Sequence, residues 1–123
     1  MKKLKMTFGK IVLEAELLET ATAEAIYAAL PFDARANTWG DEVYFSTPVS
    51  MGEEPGARTL MQPGELAFWP PGNAIAIGFG PTPASRGDEI RLASPCNVWG
   101  RALGDVKALK AVKAGSAIKV EKA

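Results

Sequence analysis

Apolar and polar residues alternate along several short segments of the chain, which is the pattern of half-buried β-strands. The first alternation runs over residues 4–8, stops at Gly9-Lys10 and resumes over residues 11–17. Two strands joined by a two-residue turn account for this arrangement. The chain is therefore predicted to open with a β-hairpin.

The same alternation predicts further short strands, each bounded by glycine or proline. Gly40-Asp41 separates one pair of predicted strands, and Pro70-Pro71-Gly72 separates another. Residues 50–64 and 81–95 show no sustained period and are rich in glycine and proline, so we predict long loops there. The predicted strands after the hairpin are residues 32–39, 43–45, 66–69, 75–79, 96–103 and 118–120.

Two short helices are predicted between the strands. Thr20 or Thr22 can cap the first, and Pro31 cannot continue it. Asp105 can cap a helical turn that runs to Val112. Many short strands with two brief helices favour a mostly β fold that closes into a barrel over a layered α/β sheet. Residues 1–123 are predicted to form one domain.

Composition and charge remove several classes of function. The chain has 14 basic and 14 acidic residues, no histidine and a single cysteine, Cys96. Without a net positive field, we predict no nucleic-acid partner and no binding to an anionic membrane surface. Without histidine, and with one cysteine, we predict no transition-metal site and no cofactor held by such ligands.

The amino terminus begins like a signal peptide, with three lysines among its first five residues. Thr7, Gly9, Lys10 and Glu14 then interrupt the apolar stretch that such a peptide needs. We therefore predict a cytoplasmic protein.

Several blocks of the sequence resemble a known family. The segments Gly9–Glu14, Thr22–Glu24, Val98–Arg101 and Gly104–Val106 resemble strands and helices of cyclophilins. The match is closer to small prokaryotic cyclophilin-like proteins of uncharacterised function, whose marks are Asn37–Phe45, Phe68–Ala74 and Phe79–Pro83. This resemblance implies an eight-stranded barrel closed at its ends by two helices.

Fold and function are separate inferences for this resemblance. Cyclophilins isomerise X-Pro bonds, and their signature places an arginine directly after Phe-His. Here Phe32-Asp33-Ala34-Arg35 echoes that motif with one residue inserted and no histidine. Arg35 is therefore the candidate catalytic donor to a prolyl nitrogen, in an alternative where the protein is a peptidyl-prolyl isomerase.

Our leading hypothesis is a domain that binds a peptide or a small molecule in a cyclophilin-type groove, with little or no isomerase activity. Aromatic side chains supply large contact areas at low entropic cost, and those beside turns are the candidates for the rim of the groove. A third possibility is a self-associating domain that forms a homodimer. The candidate ligand-binding residues are Asn37, Trp39, Tyr44, Phe45, Phe68, Trp69 and Phe79.

Overall fold

The predicted opening hairpin is present in the computed structural model, which describes residues 2–123. Gly9 lies at its turn with φ +64°, in the left-handed region that glycine enters without steric cost. Most of the other strands predicted from alternation are also present. The strands are β1 (Lys3–Phe8), β2 (Ile11–Leu17), β3 (Phe32–Arg35), β4 (Asn37–Thr38), β5 (Glu42–Ser46), β6 (Arg58–Met61), β7 (Glu65–Trp69), β8 (Ala74–Gly78), β9 (Ile90–Ala102) and β10 (Ala117–Lys122).

Strands pair antiparallel around a nearly closed barrel. The hydrogen-bonded order is β3-β10-β1-β2-β9-β7-β8-β5-β4. Strands β3 and β4 are separated only by Ala36, so together they form one extended segment that pairs with β10 on one side and with β5 on the other. Counted in this way, eight strands form the ring, and the eight-stranded barrel expected from the sequence is confirmed.

Two helices accompany the barrel. Helix α1 (Ala21–Ala29) begins at Thr20, whose side-chain oxygen accepts a hydrogen bond from the Ala23 N–H at 3.0 Å. The second helix (Val106–Ala111) is of the 3-10 type, and the Asp105 carboxylate accepts from the Lys107 N–H at its start. Both capping residues were among those predicted. No helix within residues 2–123 is long and apolar enough to span a membrane.

The two long loops expected from glycine and proline are partly strands. Strand β6 lies inside residues 50–64, and β9 begins at Ile90, six residues earlier than the sequence indicates. The first part of β9 pairs with β6, and the later part pairs with β2 and β7. The sequence analysis ended the loop at Pro95 because proline is rare inside strands. In the structure Pro95 lies near the border between the two pairings, where a missing N–H is tolerated.

The barrel interior holds the main core. Leu13, Val43, Ile75, Ile77 and Ile118 are buried there, as the period-2 pattern predicts. Ile11 is only partly buried against this core. Val98, which the pattern also placed inside, packs instead against a second apolar cluster on the outside of the barrel. The pairing of β7 with β9 shifts in register between Leu66 and Ala67. This shift changes which residues of β9 near Val98 face the barrel interior.

Candidate functional site

The outer face of strand β8, which lies between β5 and β7, is lined by small residues. Ile75 and Ile77 of β8 point into the barrel core, so Ala74, Ala76 and Gly78 point outward. Ala76 lies opposite Tyr44 of β5, and Gly78 lies opposite Glu42. Small side chains in the middle strand leave a trough between the larger side chains of its neighbours.

The chain's own residues fill this trough. We call the apolar group that occupies it the outer-face cluster, and most of its buried members lie on β6 and on the first part of β9. The methyl group of Ile90, Cγ2, takes up the space that a side chain at Gly78 would need. The outer-face cluster comprises Met61, Ala67, Ala76, Ile90, Leu92 and Cys96, with Tyr44, Trp69 and Val98 partly buried against it.

Three of the predicted site residues lie together at this face. Tyr44 and Trp69 pack against the outer-face cluster and remain half-buried. The Trp69 indole Nε1 donates a hydrogen bond to the Ser94 hydroxyl at 2.7 Å, which fixes the ring. Asn37 is exposed and lies opposite Tyr44 across the β4–β5 pair. The outward surface therefore combines one amide and two aromatic rings.

Phe45 and Phe68 lie on the opposite side of the same strands. Both have 0% of their surface exposed and belong to the barrel core. The ring of Phe45 packs edge-on against Phe8, with 6.1 Å between the ring centres. Their alternation with Tyr44 and Trp69 places them inside, so a ligand on the outer face would not contact them.

Phe79 lines an open cleft beside the outer-face cluster. The cleft has a volume of about 440 Å³. Ile90 belongs both to the cleft wall and to the outer-face cluster, so the two features are continuous. The cleft is lined by Asp41, Pro63, Phe79, Gly80, Pro81, Asp88, Ile90, Lys107 and Lys110.

Trp39 lies at the turn between β4 and β5. It is half-buried, and its backbone N–H donates to the Glu42 carbonyl at 3.0 Å. Gly40 follows with φ +60°, and a Cβ there would lie 2.9 Å from Pro83 Cδ. The turn therefore requires glycine for both its conformation and its close contact with residues 81–83.

Arg35 lies at the end of β3 with its side chain exposed. Its guanidinium Nη1 donates to the Gly115 carbonyl at 3.0 Å, in the connection between the second helix and β10. Arg35 is not among the residues that line the Phe79 cleft. The structure thus separates the candidate donor from the cleft that contains Phe79.

Glu42 is a site residue that the sequence analysis did not select. Only 6% of its surface is exposed, and its carboxyl oxygen Oε1 has no hydrogen-bond partner within residues 2–123. Burial raises the pKa of this carboxyl from 4.5 to about 7. A charged residue adjacent to Asp41 at a glycine turn is typical of a solvated loop, and only the pairing of Glu42 with Gly78 shows its true environment.

Cys96 is a nucleophilic side chain whose pKa is affected by the charge of Glu42. It is fully buried in the outer-face cluster, and burial, followed by the charges of Glu42 and Glu53, raises the pKa of the thiol to about 12. A thiol with so high a pKa is protonated and unreactive at neutral pH. The outer-face cluster therefore contains no reactive thiol.

The barrel order, the two capping helices and the Asn37–Phe45 block agree with one family. Residues 2–121 match the Cyclophilin-like family. The chain belongs to this family. Within the Cyclophilin-like fold, the outer-face cluster lies outside the barrel core, and the Phe79 cleft lies between this cluster and the second helix. No curated protein matches the sequence significantly.

Two solved structures share the Cyclophilin-like fold of this chain. A hypothetical protein from Archaeoglobus fulgidus, AF2241, is 41% identical with a TM-score of 0.86, and the match covers 99% of this chain and 95% of that one. McbB, solved in complex with tryptophan, is 16% identical with a TM-score of 0.70. That match covers 96% of this chain and 44% of McbB, so the likeness to McbB concerns the fold alone.

Proposed function

We propose that this Cyclophilin-like domain binds a small molecule or a short peptide segment in the Phe79 cleft, with little or no prolyl isomerase activity. The observation that carries the proposal is the cleft itself. Its volume of about 440 Å³ lies within the range of small-molecule sites. Apolar side chains of Phe79 and Ile90 line it together with four charged residues, which is the mixture that such sites use.

Two other clefts suit a ligand less well. A larger one, of about 540 Å³, lies beside the end of β2 and the start of α1, but it contains no aromatic side chain. A smaller one, of about 190 Å³, is bordered by Arg58 and Glu65, which already pair with each other. The Phe79 cleft is favoured because it combines an aromatic wall with charged groups.

One of the two solved structures was determined with a small ligand. McbB carries tryptophan, an amphipathic molecule with an aromatic ring and a charged amine. At 16% identity, and with 44% of McbB covered, this likeness concerns the fold and does not locate the tryptophan. The chemistry of the ligand has to come from the residues of this chain.

Weak or absent isomerase activity is expected because Arg35 is separated from the Phe79 cleft and donates to Gly115. Catalysis of isomerisation requires a donor near the prolyl nitrogen and an apolar wall around the ring. Spontaneous X-Pro exchange takes roughly tens to hundreds of seconds, so modest catalysis is measurable. We expect wild type and Arg35→Ala to leave the rate of a short proline peptide unchanged. Arg86→Ala, another exposed arginine, is the control.

Acceleration by wild type and Arg86→Ala that Arg35→Ala abolishes would establish the isomerase alternative instead. Acceleration that survives in Arg35→Ala would point to a different donor or to a contaminating isomerase.

The location of binding is testable by amide NMR with a mixture of small aromatic fragments of positive, negative and zero charge. We expect shifts at Phe79, Ile90 and Lys107, and loss of those shifts in Phe79→Ala. Shifts confined to the cleft beside β2 and α1, or equal shifts in Phe79→Ala, would contradict the proposed site. Because the mixture spans all charges, this result does not depend on the ligand class inferred below.

A further inference from the structure

The buried Glu42 carboxyl lies against an apolar surface without a donor for Oε1. Across the β5–β8 pair it meets Gly78, which offers no side chain, and its outward neighbour on β5 is Tyr44. An unpaired buried acceptor loses its hydrogen bonds to water without replacement, and the cost is greater when the group is charged. Native proteins leave few such groups unpaired, so the unpartnered oxygen of Glu42 points to a donor that arrives from outside the chain.

Ile90 connects Glu42 with the Phe79 cleft. Its Cγ2 methyl covers Gly78, the residue opposite Glu42, and its side chain also forms part of the cleft wall. Ile90 therefore borders both the cleft and the position opposite Glu42, and Asp41, the residue before Glu42, also lines the cleft. A different staggered rotamer of Ile90 would uncover the outer face at Gly78 and open Glu42 toward the cleft.

The charges around the cleft determine which ligand this carboxyl selects. Asp41 and Asp88 on the wall are balanced by Lys107 and Lys110, whose side chains are exposed on the second helix. Glu42 adds one further negative charge when ionised. The Cys96 thiol beside it stays neutral at physiological pH and supplies no cation. The balance therefore favours a ligand with one positive, hydrogen-bond-donating group.

We propose that the Phe79 cleft binds a small apolar amine, whose ammonium group donates to Glu42 while its hydrophobic part packs against Phe79. This inference rests on the proposed binding function and specifies its ligand class. An ammonium group supplies the donor that Oε1 lacks and neutralises the carboxylate in an apolar surrounding. An anionic molecule of the same shape would place two negative charges close together.

Isothermal titration calorimetry at pH 8 with two indole compounds tests this assignment. Tryptamine carries an ammonium group, and indole-3-propionate carries a carboxylate on a side chain of similar length. We expect tryptamine to bind wild type about 10-fold or more tightly than indole-3-propionate, since a charge-assisted hydrogen bond contributes that much. Glu42→Gln should remove this preference, and Glu14→Gln, an exposed carboxylate on β2, should keep it.

Ile90→Ala provides a second test that does not alter the carboxyl group. Removing most of this side chain opens the way from the cleft to Glu42, so we expect tighter binding of tryptamine with little change for indole-3-propionate. Amide NMR spectra of each variant establish that it is folded.

The possible results separate the two proposals. Equal affinities of wild type for both compounds, a preference that persists in Glu42→Gln, or no detectable binding of tryptamine would each overturn the amine assignment. None of these results removes binding in the Phe79 cleft, because the fragment mixture above measures that independently of charge. A failure of the fragment experiment together with tight, Glu42-dependent tryptamine binding would instead move the amine site away from Phe79.

Discussion

Glu42 shows how one residue can set the pH dependence of the whole domain. Burial raises its pKa from 4.5 to about 7, so the folded protein holds this proton more tightly than the unfolded chain does. Between pH 4.5 and 7 the folded state therefore binds more protons, and its stability falls as the pH rises. Above pH 7 both states are ionised at Glu42, and the full penalty remains.

Glu42→Gln should remove this penalty. We expect the variant to be more stable than wild type at pH 8, by about 3 kcal/mol, and to differ little from it at pH 4.5. Urea denaturation at the two pH values measures the difference directly. Glu14→Gln, exposed on β2, is the matched control and should show no comparable change. A variant that tracks wild type at both pH values would contradict an ionised, buried Glu42.

The candidate site was predictable from the sequence only in part. The aromatic residues of the blocks around Trp39, Trp69 and Phe79 drew attention to the side of the barrel on which we propose the site. Phe45 and Phe68 could not be told from Tyr44 and Trp69 until the phase of each strand relative to the core was known. Glu42 was missed because its burial depends on Gly78 and Ile90, which are distant in sequence.

At the scale of elements, Asn97 joins three parts of the chain. Its side-chain oxygen accepts from the Glu54 N–H at 2.8 Å, and its Nδ2 donates to the Thr22 hydroxyl at 3.0 Å and to the Gly52 carbonyl at 2.9 Å. The Glu54 carboxylate in turn accepts from the Thr22 N–H. The connection before β6 is thus fastened to α1 and to β9 by a buried amide.

Asn97→Ala should release this connection. The change leaves the Glu54 N–H and the Gly52 carbonyl without their partner, so we expect a loss of about 1–3 kcal/mol in the free energy of unfolding. Hydrogen exchange should also become faster at Glu54 than at Ile77 of the barrel core. Asn37→Ala, which removes an exposed amide, should change neither quantity. Unchanged exchange at Glu54 in Asn97→Ala would show that other contacts hold the connection.

Strand β6 and the start of β9 illustrate the limit of prediction from periodicity. Residues 58–61 and 90–96 alternate only briefly and are flanked by glycine and proline, so a local window indicates loops. They become strands because they pair with each other and cover the small residues of β8. Such pairing between distant segments leaves little trace in either one alone.

For the whole molecule, the barrel was the most predictable feature, since it depends on the alternation of many segments at once. The ring closes because its eight strands turn their apolar residues toward one common core. The assembly state is a separate question. The large apolar residues that are exposed, Val12, Leu60 and Leu103, lie on different segments of the chain.

We expect a monomer in solution, because a few exposed apolar side chains are ordinary on monomer surfaces. Multi-angle light scattering should give a mass close to 13.1 kDa at micromolar concentration. Twice that mass, abolished in Val12→Ser or Leu103→Ser, would instead support the homodimer.

Strand β6 lies outside the hydrogen-bonded ring and pairs only with β9. We call β6 and the segment that leads into β9 the cover of the barrel. The ring of eight strands keeps all of its own strand pairings when this cover is exchanged. In the proposed binding site, replacing β6 and the segment that leads into β9 changes Ile90 on the cleft wall and leaves the residues of the barrel core in place. The same separation makes this cover the natural place to graft a new binding surface onto the barrel.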